Sequence, residues 1–125
     1  MGGPMARVNT FRDLVAWQKG MALARLVYIA TRRMPKTEQF GMTMQMRRAV
    51  VSVPSNIAEG FGRQSRLELL KFLRIARGSL NEVSTQLQLV YDLEMLDCDD
   101  QIEAMIRETD RVLQGLIRSL EGKVP

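Results

Sequence analysis

Between Phe40 and Phe61 the chain reads FGMTMQMRRAVVSVPSNIAEGF, a run with the apolar period of a helix and a proline inside it. At about 100° per residue, Met42, Met46, Ala49, Val50, Val53, Ile57 and Phe61 share one face. Met44, Val51 and Ala58, spaced by seven, fall on nearly the opposite side as a narrower stripe of smaller residues. A helix that is apolar on two sides needs more partners than one neighbour supplies. The stretch therefore predicts a packed bundle, with the narrow stripe open to close approach by a further helix. Pro54 removes the hydrogen bond that an N–H would donate to the Val50 carbonyl, which predicts a kink there. Ser52 and Ser55 are placed to satisfy part of the freed backbone.

Three more helices flank this one. The first starts near Thr10–Asp13 and ends before Pro35, with Leu14, Trp17, Met21, Ala24 and Tyr28 as its expected core stripe. A second stripe, Val15, Ala22, Leu26 and Ile29, lies on another face and is a candidate subunit contact together with Met44, Val51 and Ala58. Pro35 to Gly41 is a connector, Thr43 the candidate cap of the second helix, and Gly60 and Gly62 its close. Ser65-Arg66-Leu67-Glu68 has the pattern of a capping box. The third helix then runs to about Leu93 on Leu69, Phe72, Leu73, Ala76, Leu80, Val83, Leu87, Val90 and Tyr91. Gly78 inside it predicts a tight crossing, since glycine costs about 1 kcal/mol against alanine in a helix. Asp97 is the candidate cap of a fourth helix carried by Ile102, Met105, Ile106, Leu113, Leu116, Ile117 and Leu120. No pair of segments alternates with period two around a hairpin turn. Four long helices on short connectors predict an all-α, antiparallel up-down-up-down four-helix bundle over residues 9–121, with a flexible lead at 1–8 and a tail at 122–125.

Composition narrows the chemistry. The 125 residues suit one domain and include no histidine and one cysteine, Cys98. A Ser-His-Asp or Cys-His site cannot be built, nor can a structural zinc site or an intramolecular disulfide. Glu59 and Glu82 are the available carboxylate pair for acid–base work, and each has arginines within reach. No enzyme, cofactor, metal or small-molecule substrate is expected. No apolar run approaches the roughly 20 residues of a membrane span, and the lone cysteine suits a reducing compartment, so a soluble cytoplasmic protein is expected.

Charge is uneven. Residues 1–80 hold 14 Lys/Arg against 4 Asp/Glu, whereas residues 81–125 hold 4 against 10. Arg63, Arg66, Lys71, Arg74 and Arg77 fall within an arc of about 140° on or beside the third helix. Arg47 and Arg48 lie early in the second. Arginine suits phosphate because its planar fork bonds two oxygens at once. These seven are the candidate nucleic-acid-binding residues. Because the aromatics sit on the apolar stripes, binding to the backbone of RNA or DNA, indifferent to sequence, is the mode the pattern supports. The same arginines equally suit contacts with the acidic fourth helix of a neighbouring subunit, or with a protein partner.

The run Arg47-Arg48-Ala49-Val50-Val51-Ser52-Val53-Pro54-Ser55-Asn56-Ile57-Ala58-Glu59-Gly60-Phe61-Gly62-Arg63 resembles the signature of the four-helix-bundle proteins encoded in intervening sequences of bacterial large-subunit (23S) ribosomal RNA genes. Phe11-Arg12-Asp13-Leu14 with Trp17-Gln18-Lys19, Phe40-Gly41-Met42-Thr43, Glu68 to Ala76 and Gly78-Ser79-Leu80-Asn81-Glu82 extend the likeness over about residues 9–121. Met44 and Met46 depart from the family pattern. The resemblance implies a four-helix bundle assembled as a homopentamer. Distant relatives that accompany the reverse transcriptase of diversity-generating retroelements bind nucleic acid and that enzyme. An accessory or scaffold role for a protein partner is therefore the alternative reading.

Overall fold

The computed structural model describes residues 8–122 and contains four α-helices: α1 (Val15–Thr31), α2 (Met42–Gly62), α3 (Arg66–Asp92) and α4 (Asp100–Glu121). No strand occurs among the described residues. Each helix packs on its neighbour in sequence, and α4 returns to α1 to close the square, while the diagonal pairs stay apart. This is the antiparallel up-down-up-down bundle. Its lead through Arg7 and its tail from Lys123 lie outside the described residues. Val8, expected in the lead, packs against the core.

The core holds one layer of aliphatic side chains from each helix. Leu23, Val27, Met46, Val50, Val53, Ile57, Leu73, Leu80, Val83, Leu87, Ile102 and Leu113 are among the fully buried ones, and each stabilises the fold by about 1.5–3 kcal/mol. On α2, α3 and α4 these are the stripes that the period indicates. On α1 the buried face is instead Ala16, Gly20, Leu23, Ala24, Val27 and Thr31. Tyr28 is exposed, while Trp17 is half-buried, its ring edge-on to Phe11 at 5.3 Å.

Gly20 explains the shift. A methyl group there would meet Val53 Cγ1 at 3.3 Å and the Pro54 ring at 3.4 Å, so α1 crosses α2 closely at the proline. Pro54 is buried inside an α2 that runs from Met42 to Gly62. Ser52 does not serve the freed carbonyl with its hydroxyl, which instead bonds Ser79 on α3. The second close crossing is at Gly60, where a Cβ would lie 2.6 Å from Phe72 Cβ. Gly78, the expected crossing, faces open space.

Several helix ends differ from expectation. The Glu38 carboxylate, not Thr43, accepts the Met42 N–H at 3.1 Å, and Thr43 is buried. Gly60 and Gly62 are helical, and the left-handed residue after α2 is Gln64, at φ 55°. Ser65 does cap α3, accepting from the Glu68 N–H at 3.3 Å. After α3, Glu94 takes φ 59° while the Glu94 N–H bonds Tyr91 O and the Met95 N–H bonds Val90 O, each at 3.0 Å, a Schellman close. Asp99, two residues beyond the expected Asp97, caps α4 by accepting from Gln101 and Ile102 N–H.

Candidate functional site

The seven basic candidates do not form one surface. Arg77 and Arg74 turn toward α4: Arg77 Nε donates to Asp110 Oδ1 at 2.9 Å, and Arg74 pairs with Glu121. These partners belong to the same chain. The expected pairing of helix-edge arginines with acidic α4 residues therefore occurs inside one subunit. Arg63 pairs with Glu59 one turn back at 3.2 Å and lies over the Phe72 ring, with Lys71 Nζ on the same ring at 5.9 Å. Arg66 lies in the first turn of α3. Arg47 reaches across to the end of α1, where its Nε donates to Thr31 Oγ1 at 2.9 Å and its guanidinium covers the Tyr28 ring at 4.7 Å. Arg48 is exposed and has no ion pair or hydrogen bond among the described residues.

Arg48 has company that the helix-3 strip concealed. From Val15 to Ala58 the chain carries seven Lys/Arg and a single acid, Glu38, whose carboxylate is engaged at the start of α2. Arg25, Arg32, Arg33 and Lys36 are exposed and, like Arg48, have no ion pair among the described residues. They run from α1 through the connector into α2. Beside them Tyr28, Arg47, Arg48, Val51, Ser55 and Asn56 line an open groove of about 400 Å³. The signal was in the sequence as a near absence of acids, which a count over residues 1–80 diluted.

Aromatic rings accompany other cations of the chain. Besides Tyr28 under Arg47 and Phe72 under Arg63, Phe11 lies under Arg12 at 4.6 Å. Phe40, in the connector, is 80% exposed. The separation of aromatics from arginines read in the sequence is thus not kept in three dimensions.

At the same end of the bundle the other two helices have opposite charge. Residues 78–106 hold no Lys or Arg and seven acids. The Tyr91 hydroxyl donates to Glu103 at 3.1 Å, and burial, reinforced by that carboxylate, pushes its pKa up. Partial desolvation and the carboxylates of Glu103, Asp100 and Asp99 raise the pKa of the exposed Cys98 thiol, which makes it a poor nucleophile. Glu59 lies level with Phe72, more than two helical turns below Glu82, so the two carboxylates do not share a site. No group of three or more His, Cys, Asp and Glu among the described residues could hold a metal ion. No helix there is long and apolar enough to cross a membrane.

None of the candidate subunit contacts is fully buried, though Leu26 packs against the core. Val15 and Ile29 are about half exposed, and Met44 and Val51 somewhat less. Ala22, Leu26 and Ala58 are partly buried. Val51 of the α2 stripe borders the α1–α2 groove beside Tyr28.

A crystal structure of a protein of unknown function from the S23 ribosomal protein family of Bacteroides thetaiotaomicron VPI-5482 superposes with a TM-score of 0.71 at 27% sequence identity, over 83% of this chain and 96% of that one. No match is found among curated proteins. The profile of the 23S rRNA-intervening sequence proteins matches residues 12–118. Neither description names an enzymatic activity. With the square of four helices and a match over most of its length, the chain belongs to the 23S rRNA-intervening sequence protein family.

Proposed function

We propose that this protein is a non-enzymatic homo-oligomer, pentameric as the family resemblance implies, that holds RNA or DNA by its sugar–phosphate backbone. The observation that carries the reading is the run of cations Arg25, Arg32, Lys36 and Arg48, unpaired among the described residues and facing no free acid on their own two helices; Arg33, also unpaired, lines a cavity with Glu94, Asp97 and Asp99 and contributes less. Cations already held by carboxylates, such as Arg74 and Arg77, have less to offer a phosphate. The binding surface is therefore the α1–α2 side and its connector, with Lys71 of α3 as an outlying contact.

Titration of the full chain with labelled RNA across a salt series tests the reading. Affinity should fall steeply with salt, and each phosphate contact removed should reduce the log–log slope by about 0.7–0.9. Arg32→Glu with Arg48→Glu should weaken binding of every sequence alike. Absence of binding at about 50 mM salt, or binding indifferent to salt, sinks the proposal. A second reading, a scaffold for a protein partner, draws on the outer face of α3, where Leu67, Ile75 and Leu89 are exposed. It predicts that substitutions on that face abolish partner capture while leaving RNA titrations unchanged.

A further inference from the structure

We infer that the nucleic acid taken by the α1–α2 surface is single-stranded, with an unpaired base stacked on Phe40; the inference rests on the backbone-binding reading above. Phe40 is the most exposed of the large apolar side chains among the described residues, at 80%. Its exposure is not that of a loose loop. The connector is a 3-10 turn, Lys36–Glu38, in which the Glu38 N–H bonds Pro35 O at 2.9 Å and the Gln39 N–H bonds Lys36 O at 3.1 Å. The Gly41 N–H then bonds Glu38 O at 3.0 Å, and the Glu38 side chain accepts from Met42. Every polar bond on either side of Phe40 holds the turn in place, and the ring stands out from it.

The ring also differs from the protein's other cation-flanked aromatics. Phe11, Tyr28 and Phe72 each carry a cation over one face, whereas neither a cation nor another ring covers Phe40 among the described residues. The same stretch of chain, from the end of α1 into α2, carries the unpaired cations Arg32, Lys36 and Arg48. A duplex keeps its base faces stacked, and a benzene ring reaches one only by unstacking a base step, at a cost in stacking energy. An unpaired strand presents the flat faces of its bases, and stacking one of them on an aromatic side chain raises affinity about 5- to 150-fold. Cations for the backbone and a free ring for a base are together the equipment of a single-strand binder.

The test compares a labelled 20-nucleotide polyuridine with a 20-base-pair RNA duplex, both titrated with the full chain at equal salt. The single strand should bind more tightly. Phe40→Ala should weaken it by about 5-fold or more, leaving duplex affinity and salt slope unchanged, and Phe40→Trp should keep the affinity. Thermal melting checks that the exposed substitution leaves the fold intact. Equal or tighter duplex binding, or a Phe40→Ala protein as tight as the parent, overturns this inference and leaves the backbone reading standing. Loss of binding to both nucleic acids in the parent protein overturns both. A change of oligomer mass in Phe40→Ala, read by light scattering, overturns the inference by showing that a second copy covers the ring.

Discussion

Gly60 and Gly78 are alike in sequence, each a glycine inside a helical run, and they face different surroundings. At Gly60 an added methyl group would lie 2.6 Å from Phe72 Cβ, whereas at Gly78 nothing stands within 4 Å. Gly60→Ala should therefore destabilise the protein by about 1–3 kcal/mol in urea unfolding, in spite of alanine's better helix propensity. Gly78→Ala should add up to about 1 kcal/mol. If a subunit packs over Gly78, the same substitution should instead lower the oligomer mass at a given concentration. The sequence marks both residues as unusual but cannot say which way a helix is turned. Left-handed backbone was hidden in the same way, because Gln64 and Glu94 adopt it and no described glycine does. Glu94→Gly should relieve that strain and raise stability by about 1 kcal/mol, as measured by thermal unfolding.

At the scale of elements, the legible helices were those with a single dominant stripe. α2, α3 and α4 bury most of what their period indicates; on α3 Phe72 is an exception, half-buried under Arg63, and Leu70 is buried in addition to the expected stripe. Their caps were less legible, because the turn before α4 offers Asp97, Asp99 and Asp100 as alternatives and only packing of the helix start selects Asp99. α1 misled because it is apolar on nearly every side, so periodicity alone does not choose a face. The residue that decides, Gly20, contributes no hydrophobicity at all. The entry to α1 is ordered by Asp13, whose carboxylate accepts the Thr10 and Asn9 N–H groups at 3.0 and 2.9 Å. Those bonds, that from Thr10 first, hold its pKa below the ordinary aspartate value. A depressed folded pKa gives stability that is present above the unfolded value and lost as pH falls through the folded one. The Asn9 and Thr10 amides should therefore shift together with Asp13 in an acid NMR titration, with the turn tighter at neutral pH. Between α3 and α4, a double-mutant cycle on Arg77 and Asp110 should give a coupling of about 0.5–1 kcal/mol, since both side chains remain partly exposed. A coupling of zero would return Arg77 to the pool of binding cations.

The whole molecule shows why the candidate site was harder to read than the fold. Counting basic residues along the sequence favoured the α3 strip, because five cations crowd one arc there. In three dimensions, carboxylates on α2 and α4 neutralise three of those five, Arg63, Arg74 and Arg77. The α1–α2 cations are fewer per turn, yet apart from Lys19, which pairs with Glu108 of α4 at 3.5 Å, they lack such partners among the described residues. Fold depends on short-range apolar periodicity, which a chain displays openly. Net field depends on which helices become neighbours, which it does not.

The opposed charges at the connector end have a kinetic consequence. With α1, the connector and α2 positive, and the close of α3 and start of α4 carrying seven acids and no base, the molecule is an electric dipole lying across its long axis. In the field of a polyanion it experiences a torque before it makes any contact, and the acidic side is turned away. Productive encounters should then be a larger share of collisions than random orientation allows. Stopped-flow mixing with a single-stranded RNA should show an association rate constant that drops steeply between low and physiological salt. Replacing Arg25 and Arg32 by Gln, which shrinks the positive pole, should slow that association and flatten its salt dependence.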